Sequence, residues 1–202
     1  FGNNAITVIV ANIPKAPRPA VLQRSKAKGK LRMVYLSLIT EKKNLHLVLI
    51  ALKAIKTPVQ LDVYGPIKDA AYWKKCKRLM EDQVHDIRYL GILYPAVVQD
   101  VLSDYHVFIL PTKGENFGHA IYEALSSGTP VVVSPFTPWG KLQDYGAGLT
   151  TQIDMDSLVA AIQTFIQYDE QEFSLLSLNA HKLASGYFSE NNFRNHYCRL
   201  FS

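Results

Sequence analysis

The most informative stretch of the sequence reads PTKGENFGHAIYEALSSGTPVVV and spans residues 111–133. Its pattern predicts the end of a buried strand, a polar loop, a helix over residues 118–127, a stop at Gly128 and a further strand. Glu115 falls in the loop and Glu123 falls within the helix. Both carboxylates can therefore face one crevice, one at its mouth and one deeper.

The start of this predicted helix is a candidate anion site. The backbone N–H groups of Phe117, Gly118 and His119 are expected to point out of the helix end, where they can bind phosphate. Gly118 lets a ligand approach the backbone closely. The deeper Glu123 can accept from two vicinal hydroxyls, as acidic residues do on ribose. The alternative is a helix whose carboxylates only complement its dipole, which explains Glu115 but not Glu123.

Strand-like apolar runs alternate with helical patterns along the chain. The predicted strands cover residues 32–38, 59–64, 86–90, 106–110 and 130–134. The predicted helices cover residues 44–56, 70–82, 97–102, 118–127, 155–168, 170–186 and 189–200. This alternation predicts an α/β fold, with a Rossmann-like doubly wound parallel sheet and helices on both faces. Ligands bind such sheets at the carboxyl ends of the strands, so one rim is expected from loops 37–44, 64–68, 90–95, 111–118 and 134–140.

Composition and residue spacing exclude or disfavour several classes of protein. The 202 residues are 48% hydrophobic with a net charge of +5, which excludes a disordered chain, and two cysteines cannot form a disulfide scaffold. No apolar run reaches the ~20 residues that span a bilayer. The scattered histidines show no metal spacing, so no bound metal is expected. No G-x-G-x-x-G follows the first predicted strand, which disfavours a nicotinamide dehydrogenase.

The positive charge is concentrated near the N-terminus. Residues 15–32 hold seven basic residues and no acid. A solvated surface loop is one interpretation, and contact with anionic lipid or another polyanion is the other. Nucleic acid is not expected, because the basic stretch has no interleaved aromatic residues. We assign residues 1–30 to a lead-in strand, at residues 6–10, and a basic linker, and residues 31–202 to one Rossmann-like domain with C-terminal helices.

Residues 111–133 resemble the family 4 glycosyltransferases, also called group 1. These enzymes carry a Glu-x7-Glu motif within Pro-Ser-x-x-Glu-Gly-Phe-Gly, followed by Glu-Ala and Gly-x-Pro-Val-Val. This chain reads PTKGENFG at 111–118, EA at 123–124 and GTPVV at 128–132. The resemblance extends to LDVYG at 61–65, similar to the family's second strand and glycine turn. It also includes RYLG at 88–91, similar to the strand before the base-binding loop.

The resemblance implies a role for each matching residue. Glu115 is the implied catalytic residue and contacts the transferred sugar, while Glu123 binds the ribose of the donor. The other implied donor-binding residues are Lys43, Gly65, Gly91, Ile92, Asn116, Phe117, Gly118 and His119. Lys43 and the helix start would hold the diphosphate, and the loop at Gly91 and Ile92 would hold the base. The implied reaction needs neither a metal nor another cofactor.

One position departs from the family pattern. Members usually have Gly-Arg after the first strand and a lysine five residues beyond the arginine. Here Ser37 and Leu38 stand at the first two positions, and Lys43 keeps the third. Three explanations are open: Lys42 or Lys113 supplies the missing charge, the partner domain supplies it, or catalysis is weakened or lost.

These features lead to one main hypothesis. The chain is expected to be the C-terminal half of a GT-B fold, in a retaining hexosyltransferase that uses a nucleotide-sugar in polysaccharide biosynthesis. The N-terminus lacks an initiating Met, which suggests a piece of a longer chain. A missing N-terminal domain would bind the saccharide or lipid-linked acceptor, so this chain alone should be inactive. We expect the protein in the cytoplasm, and the sequence leaves open whether it also contacts the inner face of the membrane. The alternatives are another GT-B enzyme, such as a sugar-nucleotide epimerase, and a degenerate nucleotide-sugar-binding module.

Overall fold

The computed structural model describes residues 14–81 and 84–191. The strands within them are β1 (Arg32–Leu36), β2 (Gln60–Tyr64), β3 (Asp86–Tyr89), β4 (Val107–Leu110), β5 (Val131–Val133) and β6 (Gly148–Thr150). They form one sheet in the order β3-β2-β1-β4-β5-β6, and every neighbouring pair is parallel. This is the strand order of a Rossmann-like doubly wound sheet, so the predicted fold class is confirmed.

Helices connect successive strands up to β5 and then close the domain. They are α1 (Leu45–Lys53), α2 (Ala70–Glu81), α3 (Val98–Leu102), α4 (His119–Ser126), α5 (Met155–Gln167) and α6 (Glu170–Glu190). The central strand β4 is buried along its whole length, as its unbroken apolar sequence requires. In α1 the residues at helical spacing, including Leu45, Val48 and Leu52, are all buried. The sheet and the helices on it therefore enclose one hydrophobic core.

At the C-terminal side one strand was missed and one helix boundary was predicted wrongly. The missed strand is β6, which is three residues long and begins at Gly148. A Cβ at this glycine would lie 2.0 Å from the Val131 carbonyl oxygen, so β6 can pair with β5 only because the side chain is absent. The predicted break after residue 186 is also wrong, because α6 continues to Glu190. The predicted strand at 6–10 and most of the predicted helix at 189–200 lie outside the described residues.

The strand order reverses between β1 and β4, and the loops that follow these two strands are joined there. The side-chain amide of Asn44 donates to the Pro111 carbonyl at 2.8 Å. The backbone N–H of Lys113 donates to the Lys42 carbonyl at 2.9 Å. Such a switch point leaves a crevice at the carboxyl ends of the strands, where ligands of open α/β sheets bind.

The basic segment packs against the domain instead of standing free in solvent. Arg24 is 8% exposed, donates to Thr129 Oγ1 at 3.0 Å and lies 5.0 Å from the centre of the Phe173 ring. Burial lowers the pKa of this arginine to about 10, and the charge of Arg32 adds to that effect. Lys26 is 2% exposed and donates to the carbonyls at the C-terminal end of α5. The interpretation as a solvated loop is therefore wrong for Arg24 and Lys26.

No helix in the described residues combines the length and the apolar content that crossing a membrane requires.

Candidate functional site

An ion pair occupies the crevice between β1 and β4. The ammonium of Lys43, at the end of the β1–α1 loop, contacts Glu115 Oε1 in the β4–α4 loop. Each of the two side chains is only 14% exposed. The backbone N–H of Glu115 donates to the Phe136 carbonyl at 3.1 Å, which fixes the loop from the opposite side. Two residues predicted to bind the donor are thus held together at the point where the fold places a ligand.

Gly118 connects this loop to α4. It adopts a φ of 79°, in the left-handed region that favours glycine. A Cβ there would lie 2.9 Å from Ile121 Cδ1 and 3.6 Å from Glu115 Cγ. The close contacts at Gly118 are with the protein's own side chains, so the approach of a ligand to this glycine stays a prediction. The helix α4 begins at His119, as predicted to within one residue.

The residues around the start of α4 differ in what they touch. Asn116 and His119 are exposed toward solvent, whereas Phe117 is partly buried. The Phe117 ring lies 5.7 Å from Trp139 and 5.6 Å from Tyr187, measured between ring centres. Trp139 is 7% exposed and its indole N–H donates to the Phe117 carbonyl at 2.7 Å. Phe117 and Trp139 thus position the loop, and Asn116 and His119 are the side chains open to a ligand.

Glu123 lies on the second turn of α4 and is partly buried. Its carboxylate makes no hydrogen bond or ion pair with the part of the chain that the structure describes. Burial raises the pKa of Glu123, and the charge of Lys15 opposes that rise. Lys15 is held nearby because its carbonyl accepts from Tyr122 Oη at 3.0 Å and its ammonium donates to the Ala96 carbonyl at 3.3 Å. A partly buried carboxylate without a partner is poised to accept hydrogen bonds from a ligand.

Lys15 is the residue near the site that sequence analysis missed. It lies far from Glu123 along the chain, within a basic segment whose composition predicted only surface charge. Its own sequence context contains no signal for the site; only the contact with Tyr122 and the loop at Ala96 brings it there.

The loops after β2 and β3 meet at two glycines. The backbone N–H of Gly65 donates to the Gly91 carbonyl at 2.7 Å, and Gly65 is buried. A Cβ at Gly65 would lie 1.8 Å from the Ser37 carbonyl oxygen, so this position has a packing role next to the β1 loop. Gly91 is partly exposed with a φ of 82°, and Ile92 is 60% exposed. Of these residues, Gly91 and Ile92 are the ones accessible to a ligand.

The position where an arginine was expected carries no charge. Leu38 is 44% exposed, so its side chain is not packed into the core. Lys42 and Lys113 are both exposed. Across residues 14–81 and 84–191, His, Cys, Asp and Glu side chains form no group of three that could hold a metal ion.

Comparisons with known proteins agree with the fold of the chain. The family model described as glycosyl transferases group 1 matches residues 30–168. The O-antigen chain mannosyltransferase B of Escherichia coli is 26% identical over 165 residues, which make up 78% of this chain and 43% of that protein. The chain thus spans less than half the length of this curated relative.

Solved structures show the same fold. HepE from Anabaena, solved in complex with UDP and glucose, superposes with a TM-score of 0.75 at 20% identity. The match covers 86% of this chain and 48% of that one. Sucrose-phosphate synthase from Thermosynechococcus elongatus superposes with a TM-score of 0.72 at 20% identity, over 85% of this chain and 45% of that one.

Proposed function

The chain belongs to the group 1 glycosyltransferases, and from that premise we propose that it is the donor-binding half of a retaining, hexosyltransferase-type enzyme. The observation that carries the proposal is the position of the Lys43–Glu115 pair. It lies where the strand order reverses between β1 and β4, beside the start of α4. A glycosyl donor is an anionic diphosphate joined to a neutral sugar, and this crevice offers both charge and hydrogen-bonding groups.

Each end of the donor has a matching group. Glu123 accepts from the ribose hydroxyls, because its carboxylate is partly buried and without a partner in the described chain. The loop at Gly91 and Ile92 lies against the base, since it follows β3 at the same edge of the sheet. The same loop continues to Ala96, whose carbonyl accepts a hydrogen bond from the Lys15 ammonium near Glu123. HepE was solved with UDP and with UDP-glucose, which supports a nucleotide-sugar as the ligand of this fold.

Glu115 lies at the sugar end of the proposed donor. Sugar transfer breaks the bond between the anomeric carbon and the diphosphate while the acceptor oxygen forms the new bond. Negative charge then develops on the leaving diphosphate, and preorganised protein charges and dipoles can stabilise it without a metal ion. We assign this role to Lys43 and to the N–H groups at the start of α4.

The acceptor belongs to the part of the enzyme that this chain does not span. We propose a saccharide or a lipid-linked sugar, in polysaccharide biosynthesis on the cytoplasmic side of the membrane. The part of this proposal that concerns polysaccharide biosynthesis is supported by the O-antigen chain mannosyltransferase B, which is 26% identical to the chain.

A degenerate module that binds nucleotide-sugar without transfer is the second candidate. The exposed, uncharged side chain of Leu38 favours it, because a site with less positive charge stabilises a leaving diphosphate less well. Activity of the full-length protein separates the two candidates, since both predict nucleotide binding.

The proposal is tested by a thermal-shift screen against UDP, GDP, ADP and their sugar conjugates. A ligand that binds only the folded protein raises its melting temperature, and the stabilisation grows with the logarithm of the ligand concentration relative to Kd. We expect one nucleoside diphosphate and its sugar conjugate to raise the Tm, and Glu123→Ala to remove that rise. No shift with any of these ligands at millimolar concentration would contradict the proposal.

A further inference from the structure

We propose that Lys42 binds the diphosphate of the donor together with Lys43. This inference rests on the proposed function and assigns a specificity-determining contact within the same site. Two observations carry it: the pairing of Lys43 with Glu115, and the position of the Lys42 ammonium beside Gly114, where it has no partner among the described residues.

The charge of Lys43 is already neutralised. Its ammonium contacts Glu115, and both side chains are largely withdrawn from solvent. A pair of opposite charges in contact exerts only a weak field on a third charge nearby. A diphosphate entering the crevice is therefore attracted less strongly by the paired Lys43 than by an unpaired lysine at the same distance.

Lys42 is exposed, and in the described part of the chain its ammonium has no hydrogen-bond or ion-pair partner. A Cβ built on Gly114 would lie 3.8 Å from Lys42 Cε and 4.0 Å from Lys42 Nζ. The lysine side chain therefore extends across the β4–α4 loop, directly before Glu115. The hydrogen bond from the Lys113 N–H to the Lys42 carbonyl, 2.9 Å long, holds the two loops together beneath it.

Lys113 is the neighbouring cation, two residues before Glu115 in the same loop. Its side chain is exposed, as that of Lys42 is. Lys113 is therefore a control for the loss of a surface charge near the crevice.

The test measures ligand affinity by calorimetry in wild type, Lys42→Met, Lys42→Arg and Lys113→Met. The probes are UDP and GDP, inorganic pyrophosphate as a diphosphate without a base, and uridine and guanosine as uncharged ligands. Loss of a charged hydrogen bond should weaken diphosphate binding by Lys42→Met about tenfold or more. Nucleoside affinity should stay unchanged, Lys42→Arg should retain most diphosphate affinity, and Lys113→Met should resemble wild type.

The outcomes are distinguishable. Equal losses in Lys42→Met and Lys113→Met would show a general effect of surface charge and overturn the inference. Unchanged diphosphate affinity in Lys42→Met would overturn it as well, while the proposed function would stand because wild type still binds. If wild type bound none of the probes, the proposed function would fail, and this inference with it.

Discussion

Replacing Glu123 by alanine separates a ligand-binding role from a structural one. Its partly buried carboxylate has no partner in the described chain, so no internal hydrogen bond is lost. A bound ribose would lose a charged acceptor for its two hydroxyls, which costs about 1.5–3 kcal/mol. The dissociation constant of the nucleoside diphosphate should therefore rise about 10- to 150-fold. Calorimetry with the nucleotide that gives the largest thermal shift measures this change.

The same carboxylate makes a prediction about stability and pH. Burial raises the pKa of Glu123 above its unfolded value, so the ionised form is disfavoured in the folded protein. That cost is fully present above the folded pKa and disappears below the unfolded pKa near 4.5. Glu123→Gln should thus equal or exceed wild type in unfolding free energy at pH 7.5, and lose any advantage by pH 4. Nucleotide binding by wild type should weaken as the pH falls through the raised pKa.

Glu115→Gln is the matched control, because its partner is known. It removes the negative charge beside the Lys43 ammonium, and the Lys43 side chain is only 14% exposed. Losing this counter-charge should destabilise the protein by about 1 kcal/mol or more. Urea denaturation compares the two variants at one pH. The reasoning is refuted if Glu123→Gln destabilises the protein as much as Glu115→Gln does. It is also refuted if Glu123→Ala binds nucleotide with wild-type affinity.

Three further predictions concern other positions. Gly65→Ala should lower the unfolding free energy by about 2–4 kcal/mol, because its Cβ would lie 1.8 Å from the Ser37 carbonyl oxygen; wild-type stability would contradict this. Burial and the charge of Arg32 lower the pKa of His106 to about 4, so the folded protein binds this proton at a lower pH than the unfolded chain does. Stability is then lost as the pH falls below 6.5, by about 2 kcal/mol between pH 7 and 5, and His106→Asn should flatten that slope in denaturant titrations. Leu38→Arg should strengthen diphosphate binding in calorimetry at no cost in Tm, because the leucine is 44% exposed; a lower Tm would mark it as a packing residue.

The alternation of strands and helices was predictable because hydrophobic periodicity is a local property. Residues such as Leu45, Val48 and Leu52 are spaced to cover one helical face before any tertiary contact exists, and all three are buried. The elements that were missed depend on distant partners. β6 is too short to show a period, and it exists because Gly148 can approach the backbone of Val131.

The candidate site also combines features that were predictable from the sequence with features that only the fold decides. The order of residues in 111–133 was enough to predict a strand, a loop with Glu115 and a helix with Glu123, because neighbouring residues decide those features. The pairing of Glu115 with Lys43 follows from the reversal of strand order, which brings two loops together that are far apart in the chain.

The sequence alone therefore determined the class of fold, the parallel arrangement of βα units and the motif that identifies the family. Only the tertiary structure decided which charges are free to meet a ligand. Arg24 and Lys26, part of an apparently solvated basic run, are buried, whereas Lys42 remains exposed beside the crevice. The reason is that the hydrophobic periodicity of a segment depends only on residues close together in the chain. The burial and the ion pairs of a side chain depend on the distant residues that the fold packs against it.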